Sequence, residues 1–166
     1  MEVNTRLQGE HPVTEAVCGG IDLVKMQIEI AQNQPLTLTQ AEAQKITCHA
    51  IEFRINAEDY EQNFLPNSGL IAYFHTPDGL GVRVDSVVYS GYEIPSFYDS
   101  LIAKLIINAP NREQALKRAK RALEEFRIKG LKSTLDFHKL ILQNKKFQEG
   151  QTNTALVEEI LNEGKK

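Results

Sequence analysis

The sequence predicts an α+β fold in which a small antiparallel β-sheet or partial barrel is packed with several helices. Three observations lead there. Residues 49–56 alternate, with His49, Ile51, Phe53 and Ile55 on one parity and Ala50, Glu52, Arg54 and Asn56 on the other, which is strand periodicity. Further β-rich runs at 70–74, 82–89 and 101–107 follow, the first ones joined by short turns, which favours antiparallel pairing over parallel crossovers. Ala115, Leu116, Ala119, Ala122, Leu123 and Phe126 then recur at helical spacing and form one apolar stripe.

Taken in order, residues 1–10 alternate without exception, Glu2, Asn4, Arg6, Gln8 and Glu10 sharing one parity, so a first strand is expected there. Asp22 is placed to cap a helix whose apolar positions Leu23, Val24, Ile28 and Ala31 run until Pro35 closes it. Residues 37–44 read as a polar connector with room for a short helix. The 70–74 strand is bracketed by Pro66-Asn67-Ser68-Gly69 and Thr76-Pro77-Asp78-Gly79, where proline presets φ and glycine or asparagine supplies positive φ. The helix with the apolar stripe begins at Asn111, with Gln114 in capping-box spacing, and is expected to end near Gly130. Thr134 is placed to cap another helix through Gln143, and residues 156–161 form a last one.

Composition narrows the function classes. In 166 residues the formal charge is -3 and no long Lys/Arg run occurs, so neither a nucleic acid nor a membrane surface is expected as partner. The two cysteines, Cys18 and Cys48, have no metal-ligand spacing and point to a reducing, cytoplasmic setting. No apolar run approaches the ~18 residues that span a bilayer, and no basic-then-apolar leader pattern is present. Met1 opens directly on a dense polar motif, so an internal piece of a longer protein is expected.

The polar parity of 1–10 offers carboxylate, amide, guanidinium, amide and carboxylate on one side. Arg6 can hold an oxyanion in fork geometry while Glu10 stays ionised as a proton acceptor, and Glu2 and Asn4 are oxygen donors of the kind Mg²⁺ takes. On a straight strand Glu2 and Glu10 would stand about 26 Å apart, too far to share one small substrate. Gly9 and the His11-Pro12 step then place Glu10 in a turn at the strand end. On alternation alone, a solvated face stitched by ion pairs is the commoner meaning of such a stripe, and Arg54 is equally open to a structural ion-pair role. His11, His49, His75 and His138 share no ligand spacing, and Tyr73, Phe74, Tyr89, Tyr92, Phe97 and Tyr98 read as cross-strand packing rather than a stacking platform.

The run Met1-Glu2-Val3-Asn4-Thr5-Arg6-Leu7-Gln8-Gly9-Glu10-His11-Pro12-Val13-Thr14-Glu15 resembles the most diagnostic stretch of the biotin carboxylase family, M-E-x-N-T-R-x-Q-V-E-H-P-V-T-E. The likeness continues through 49–59, Phe64-Leu65-Pro66, Gly81-Val82-Arg83 and 98–105. It implies an ATP-dependent ligase that activates bicarbonate as carboxyphosphate and carboxylates biotin on a carrier protein or domain of an acyl-CoA or pyruvate carboxylase system. It also implies roles: Glu2 and Asn4 on Mg²⁺, with Mn²⁺ as the alternative ion; Arg6, Gln8 and Gly9 on bicarbonate; Glu10 as the base that deprotonates it. Arg54 would stabilise the enolate-like charge on the biotin ureido oxygen. Leu80 and Arg83 match the dimer-forming segment, so a homodimer is implied.

Three departures stand out. Gly9 replaces the usual valine, Leu80 replaces the usual phenylalanine, and Cys18-Gly19-Gly20 is one residue longer than the family's turn, which is expected to shift the following helix. The family's glycine-rich phosphate loop is absent, so a missing N-terminal ATP-grasp portion is implied as a partner. The resemblance divides the chain into 1–44, the distal remnant of an ATP-grasp domain, and 45–166, the biotin carboxylase C-terminal domain. Two competing readings are a catalytically silent assembly module and another ATP-grasp ligase such as a carbamoyl phosphate synthetase; the R-x-Q-x-E-H-P run disfavours the second.

Overall fold

The alternating and apolar runs become a three-stranded antiparallel sheet built round the most apolar segment of the chain. The computed structural model describes residues 3–163, the side chain of Glu163 excepted. A leading loop gives way to helices α1 (His11–Val17), α2 (Leu23–Ala31) and α3 (Gln40–Ala43). Strands β1 (His49–Asn56), β2 (Glu58–Asp59), β3 (Leu65–Pro66), β4 (Gly69–Leu70) and β5 (Tyr73–His75) come next, followed by β6 (Val82–Ser86), β7 (Glu93–Ile94) and β8 (Leu101–Ala109). Helix α4 (Arg112–Glu125), strand β9 (Arg127–Lys129) and helices α5 (Leu135–Gln143), α6 (Lys145–Glu149) and α7 (Leu156–Glu163) complete the order.

The principal sheet runs β1-β8-β6, and two-stranded pairs β2-β3, β4-β7 and β5-β9 surround it. The α+β expectation therefore holds, as an open antiparallel sheet rather than a barrel. Strand β8 sits in the middle, where both faces are covered, and Ile102, Ala103, Leu105, Ile106 and Ile107 are all buried. On one face Phe53, Ile55, Leu105 and Ile107 meet Ala119, Ala122 and Leu123 of α4 and the fully buried Phe126. The predicted cap is present, since the Asn111 side chain accepts from the Gln114 N–H at 3.0 Å. Helix α4 nevertheless stops before Gly130, because Phe126 turns extended, packs edge-on to Phe74 at 5.6 Å, and sends the chain into β9 against β5.

The expected first strand does not form: residues 3–10 are a loop, and residues 11–17, which carried no helical signal, are helix α1. The physical reason is local. Pro12 suits a first helical turn, the His11 N–H bonds the Gln8 carbonyl at 3.2 Å, and the Val13 N–H bonds that of Glu10 at 3.0 Å. Met1 and Glu2, the first two positions of that expected strand, lie outside the described residues. The 70–74 run is split into β4 and β5, because Ile71 is fully buried and its N–H goes to the Tyr92 carbonyl at 2.8 Å. Helix α2 starts at the predicted Asp22 cap, and α3 at a capping box of Thr39 and Glu42. Gly19 and Gly20 absorb the extra turn residue, with φ of +81° and +84°, and the Glu15 carboxylate receives the Leu23 N–H at 3.0 Å to fix where α2 begins. Helix α6 was not anticipated; the Asn144 side chain caps it through the Phe147 N–H at 3.1 Å.

Candidate functional site

Antiparallel register puts the polar residues of the sheet in two rows on the face away from α4. Arg54, Lys104 and Asp85 are cross-strand neighbours in one row, and Glu52, Ile106 and Arg83 in the next. Two cations side by side, Arg54 and Lys104, repel unless anions flank them. Asp85 supplies one, 3.7 Å from the Lys104 ammonium. Asp85 in turn receives Nε of Arg83 at 2.7 Å and Nη2 at 2.8 Å, and Arg83 reaches Glu15 of α1 at 3.4 Å. Hydrogen bonds from Arg83, helped by its charge and that of Lys104, hold the Asp85 carboxyl below its usual range despite partial burial.

Helix α1 lies across this polar face, against β1 and β8, with Pro12 buried under it. Its far end is pinned by Thr47, whose N–H bonds the Val17 carbonyl at 2.8 Å, and by the Cys48 thiol on the Ala16 carbonyl at 3.3 Å. That docking delivers the leading loop to the sheet. Lys104 Nζ donates to the Gly9 carbonyl at 3.0 Å. Glu10 occupies the N-cap position of α1 but makes no side-chain cap bond, so its carboxylate is not committed to the helix.

Glu52 sits at the centre of the charged groups. Burial pushes its carboxyl pKa up against the opposing fields of Lys104 and Arg54, Glu10 pushes it up further, and His11 pulls it down. Its Oε2 is buried with no hydrogen-bond partner. The groups felt by one carboxylate thus come from the loop, from α1, from β1 and from β8.

Arg54 presents an exposed side chain from a fixed backbone. Its carbonyl accepts from the Thr134 hydroxyl at 3.1 Å and from His138 Nε2 at 2.8 Å, just before the register shifts between Ile55 and Asn56. The Asn56 N–H returns to the Thr134 hydroxyl at 2.9 Å. Thr134 stands at the predicted N-cap of α5 but makes no cap bond, because its hydroxyl is committed to β1. His138 packs edge-on to Phe53 at 5.4 Å, and burial keeps its imidazole pKa low, which favours the neutral ring as the donor to Arg54.

The residues singled out in sequence divide accordingly. Gly9, Glu10 and Arg54 gather around the polar face of the sheet, and Gln8, half-buried, lends its carbonyl to His11 Nδ1 at 2.8 Å. Arg6 and Asn4 lie exposed on the loop, Arg6 donating to the adjacent Leu7 carbonyl at 3.2 Å. Glu2 lies outside the described residues. Among the described residues no three His, Cys, Asp or Glu side chains are grouped to hold a metal ion. Leu80, 88% exposed, sits in the turn between β5 and β6, and Arg83 on the outer strand β6. Lys104, Glu52, Asp85, Thr134 and His138 were not picked out from sequence as site residues. Only Lys104 carried a readable signal, as the sole charged residue of the run Leu101–Ala109.

Residues 52–159 match the family model described as biotin carboxylase C-terminal domain, and residues 1–39 match that of the carbamoyl-phosphate synthase L chain, ATP binding domain. The chain is 51% identical over 160 residues to the biotin carboxylase of Nostoc sp., covering 96% of this chain and 35% of that protein. It is 49% identical over 158 residues to biotin carboxylase 1 of Bacillus subtilis, covering 95% and 35%. The fold is similar, with a TM-score of 0.91 and 43% identity, to the biotin carboxylase domain of the Hydrogenobacter thermophilus 2-oxoglutarate carboxylase, solved as a dimer with MgADP, ADP and bicarbonate; 95% of this chain and 35% of that one are covered. The chain thus spans about a third of the length of these relatives.

Proposed function

Because this chain belongs to the biotin carboxylase C-terminal domain family, we propose that it is the C-terminal part of a biotin carboxylase, the ATP- and bicarbonate-dependent ligase that carboxylates biotin on a carrier protein or domain. The observation that supports this best is the polar sheet face, where the loop bearing Glu10 and the strand bearing Arg54 meet at Lys104.

In this reading Glu10, free of any capping bond, takes the proton of bicarbonate, while Arg6 and Gln8 with the Gly9 backbone hold the anion. Arg54, exposed on a backbone fixed by Thr134 and His138, stabilises negative charge developing on the biotin ureido oxygen. ATP supplies the phosphoryl group that activates bicarbonate. Mg²⁺ or Mn²⁺ at Glu2 and Asn4 belongs to the same proposal, with no step routed through it. The division into 1–44 and 45–166, the ATP-grasp portion as working partner, and a homodimer through Leu80 and Arg83 are part of it too. So is a cytoplasmic setting, supported by two free thiols, Cys18 and Cys48. Among the described residues no helix is long and apolar enough to cross a membrane.

A second reading, a catalytically silent dimerisation and assembly module, is favoured by Gly9, which has open space where the family's valine would stand. The test is biotin- and bicarbonate-dependent ADP release by this chain alone and mixed with an ATP-grasp fragment of a related biotin carboxylase. Release only in the mixture is expected. Silence in both, with folding confirmed by circular dichroism, would overturn the enzymatic reading in favour of the assembly module.

A further inference from the structure

We propose that Lys104 is a positioning residue for Glu10, hooking the Gly9 carbonyl so that the loop carrying Arg6, Gln8 and Glu10 is held against the sheet. This deepens the proposed function and rests on it for the role of Glu10.

Lys104 stands in the central strand, where its neighbours Ala103 and Leu105 are buried, and its own side chain is only 15% exposed. A lysine in such a place costs stability unless its ammonium is paired, and an aliphatic residue would serve the sheet alone better. The ammonium is paired, and asymmetrically. Its shortest contact is the Gly9 carbonyl at 3.0 Å, and Asp85 at 3.7 Å anchors it from the other side. Asp85 is itself held by Arg83, and Arg83 reaches Glu15 of α1. The loop and the helix that follows it are therefore secured to the sheet by two ends of one charged chain.

The hooked carbonyl belongs to the peptide that joins Gly9 to Glu10, so fixing it fixes the plane from which the Glu10 side chain departs. Gly9 offers no such restraint of its own. It has no side chain, and no atom lies within 4 Å of where its Cβ would be. Glycine leaves this backbone freer than the valine of the family pattern would, and the loop has no strand partner to restrain it. The groups facing Lys104 are Asp85 from β6, Glu52 and Arg54 from β1, and the Gly9 carbonyl from the loop. The two carboxylates offset the repulsion between the ammonium and the guanidinium of its cross-strand neighbour Arg54.

The experiment is residue-resolved amide hydrogen exchange of the whole chain and of its Lys104→Met and Lys104→Arg variants, with melting temperatures alongside. Loss of one charge-assisted bond is worth roughly tenfold in a local opening equilibrium. Lys104→Met is therefore expected to speed exchange at His11 and Val13 by about that factor, Lys104→Arg to restore it, and Ala115 and Phe126 in and after α4 to stay unchanged. Uniform acceleration at all four sites, or none at His11 and Val13, overturns the proposal. In the reconstituted mixture, Lys104→Met is expected to lower kcat for ADP release and Lys104→Arg to recover it. An unchanged kcat also overturns it. A mixture silent even with the original chain would defeat the proposed function, while the exchange result would still decide the hook.

Discussion

At the scale of single residues, the carboxylates of Glu10 and Glu52, near enough for one to raise the pKa of the other, stand in opposite surroundings. Glu10, the base of the proposed function, sits exposed at the mouth of α1 without a cap bond. Replacing it with glutamine keeps volume and removes the base, so Glu10→Gln is expected to lower bicarbonate-dependent ADP release in the mixture by about a hundredfold or more. Unimpaired release would remove Glu10 from the chemistry. Glu52, by contrast, is pushed above its ordinary value of 4.5 mainly by burial. A carboxyl raised in the folded state is fully accommodated below about 4.5, and the chain loses stability as pH rises through the raised folded value. Glu52→Gln removes that loss, so its melting temperature is expected to gain on the original chain as pH goes from about 4.5 to about 8. An equal gap at both ends of the scan would mean that the buried Oε2 costs nothing.

At the scale of elements, α4 shows what a sequence can declare by itself. Its stripe and its cap lie within one helix and were readable, while its end, set by the packing of Phe126, was not. The cap is testable there: Asn111→Ala is expected to lower unfolding free energy by about 1 kcal/mol in urea, with the Gln114 amide the first to exchange faster. Strand β1 was legible for the same reason, since alternation of Phe53 and Ile55 with Glu52 and Arg54 is a local signal. Residues 3–10 misled because a loop that presents several polar groups in turn alternates as a strand does. Helix α1 was invisible because its stability comes from lying on the polar sheet face rather than from its own seven residues. The site split along the same line. Glu10 and Arg54 were singled out through two contiguous runs that resemble the family, 1–15 and 49–59, whereas Lys104 meets Gly9 across 95 residues and His138 meets Arg54 across 84, and no window in the sequence joins them.

For the whole molecule, the homodimer of the proposed function would form along the outer strand β6, with Leu80 almost wholly exposed in the turn before it and Arg83 along it. Arg83→Glu is expected to shift the light-scattering mass from dimer to monomer, and Leu80→Phe, which leaves the charge network alone, to favour the dimer. An unchanged mass in both would place the interface elsewhere. The Arg83 variant also cuts the tie to Glu15, so its partner variant separates assembly from folding. That tie has a further consequence, which concerns time. The leading loop is fastened by Lys104 from 95 residues away, and α1 behind it by Arg83 from 68. Such long-range contacts are expected to form late in folding, and, being a few charged contacts rather than buried apolar packing, to open first on heating. If the proposed function holds, the loop is expected to release while the core is still intact, so that turnover is lost before the chain melts.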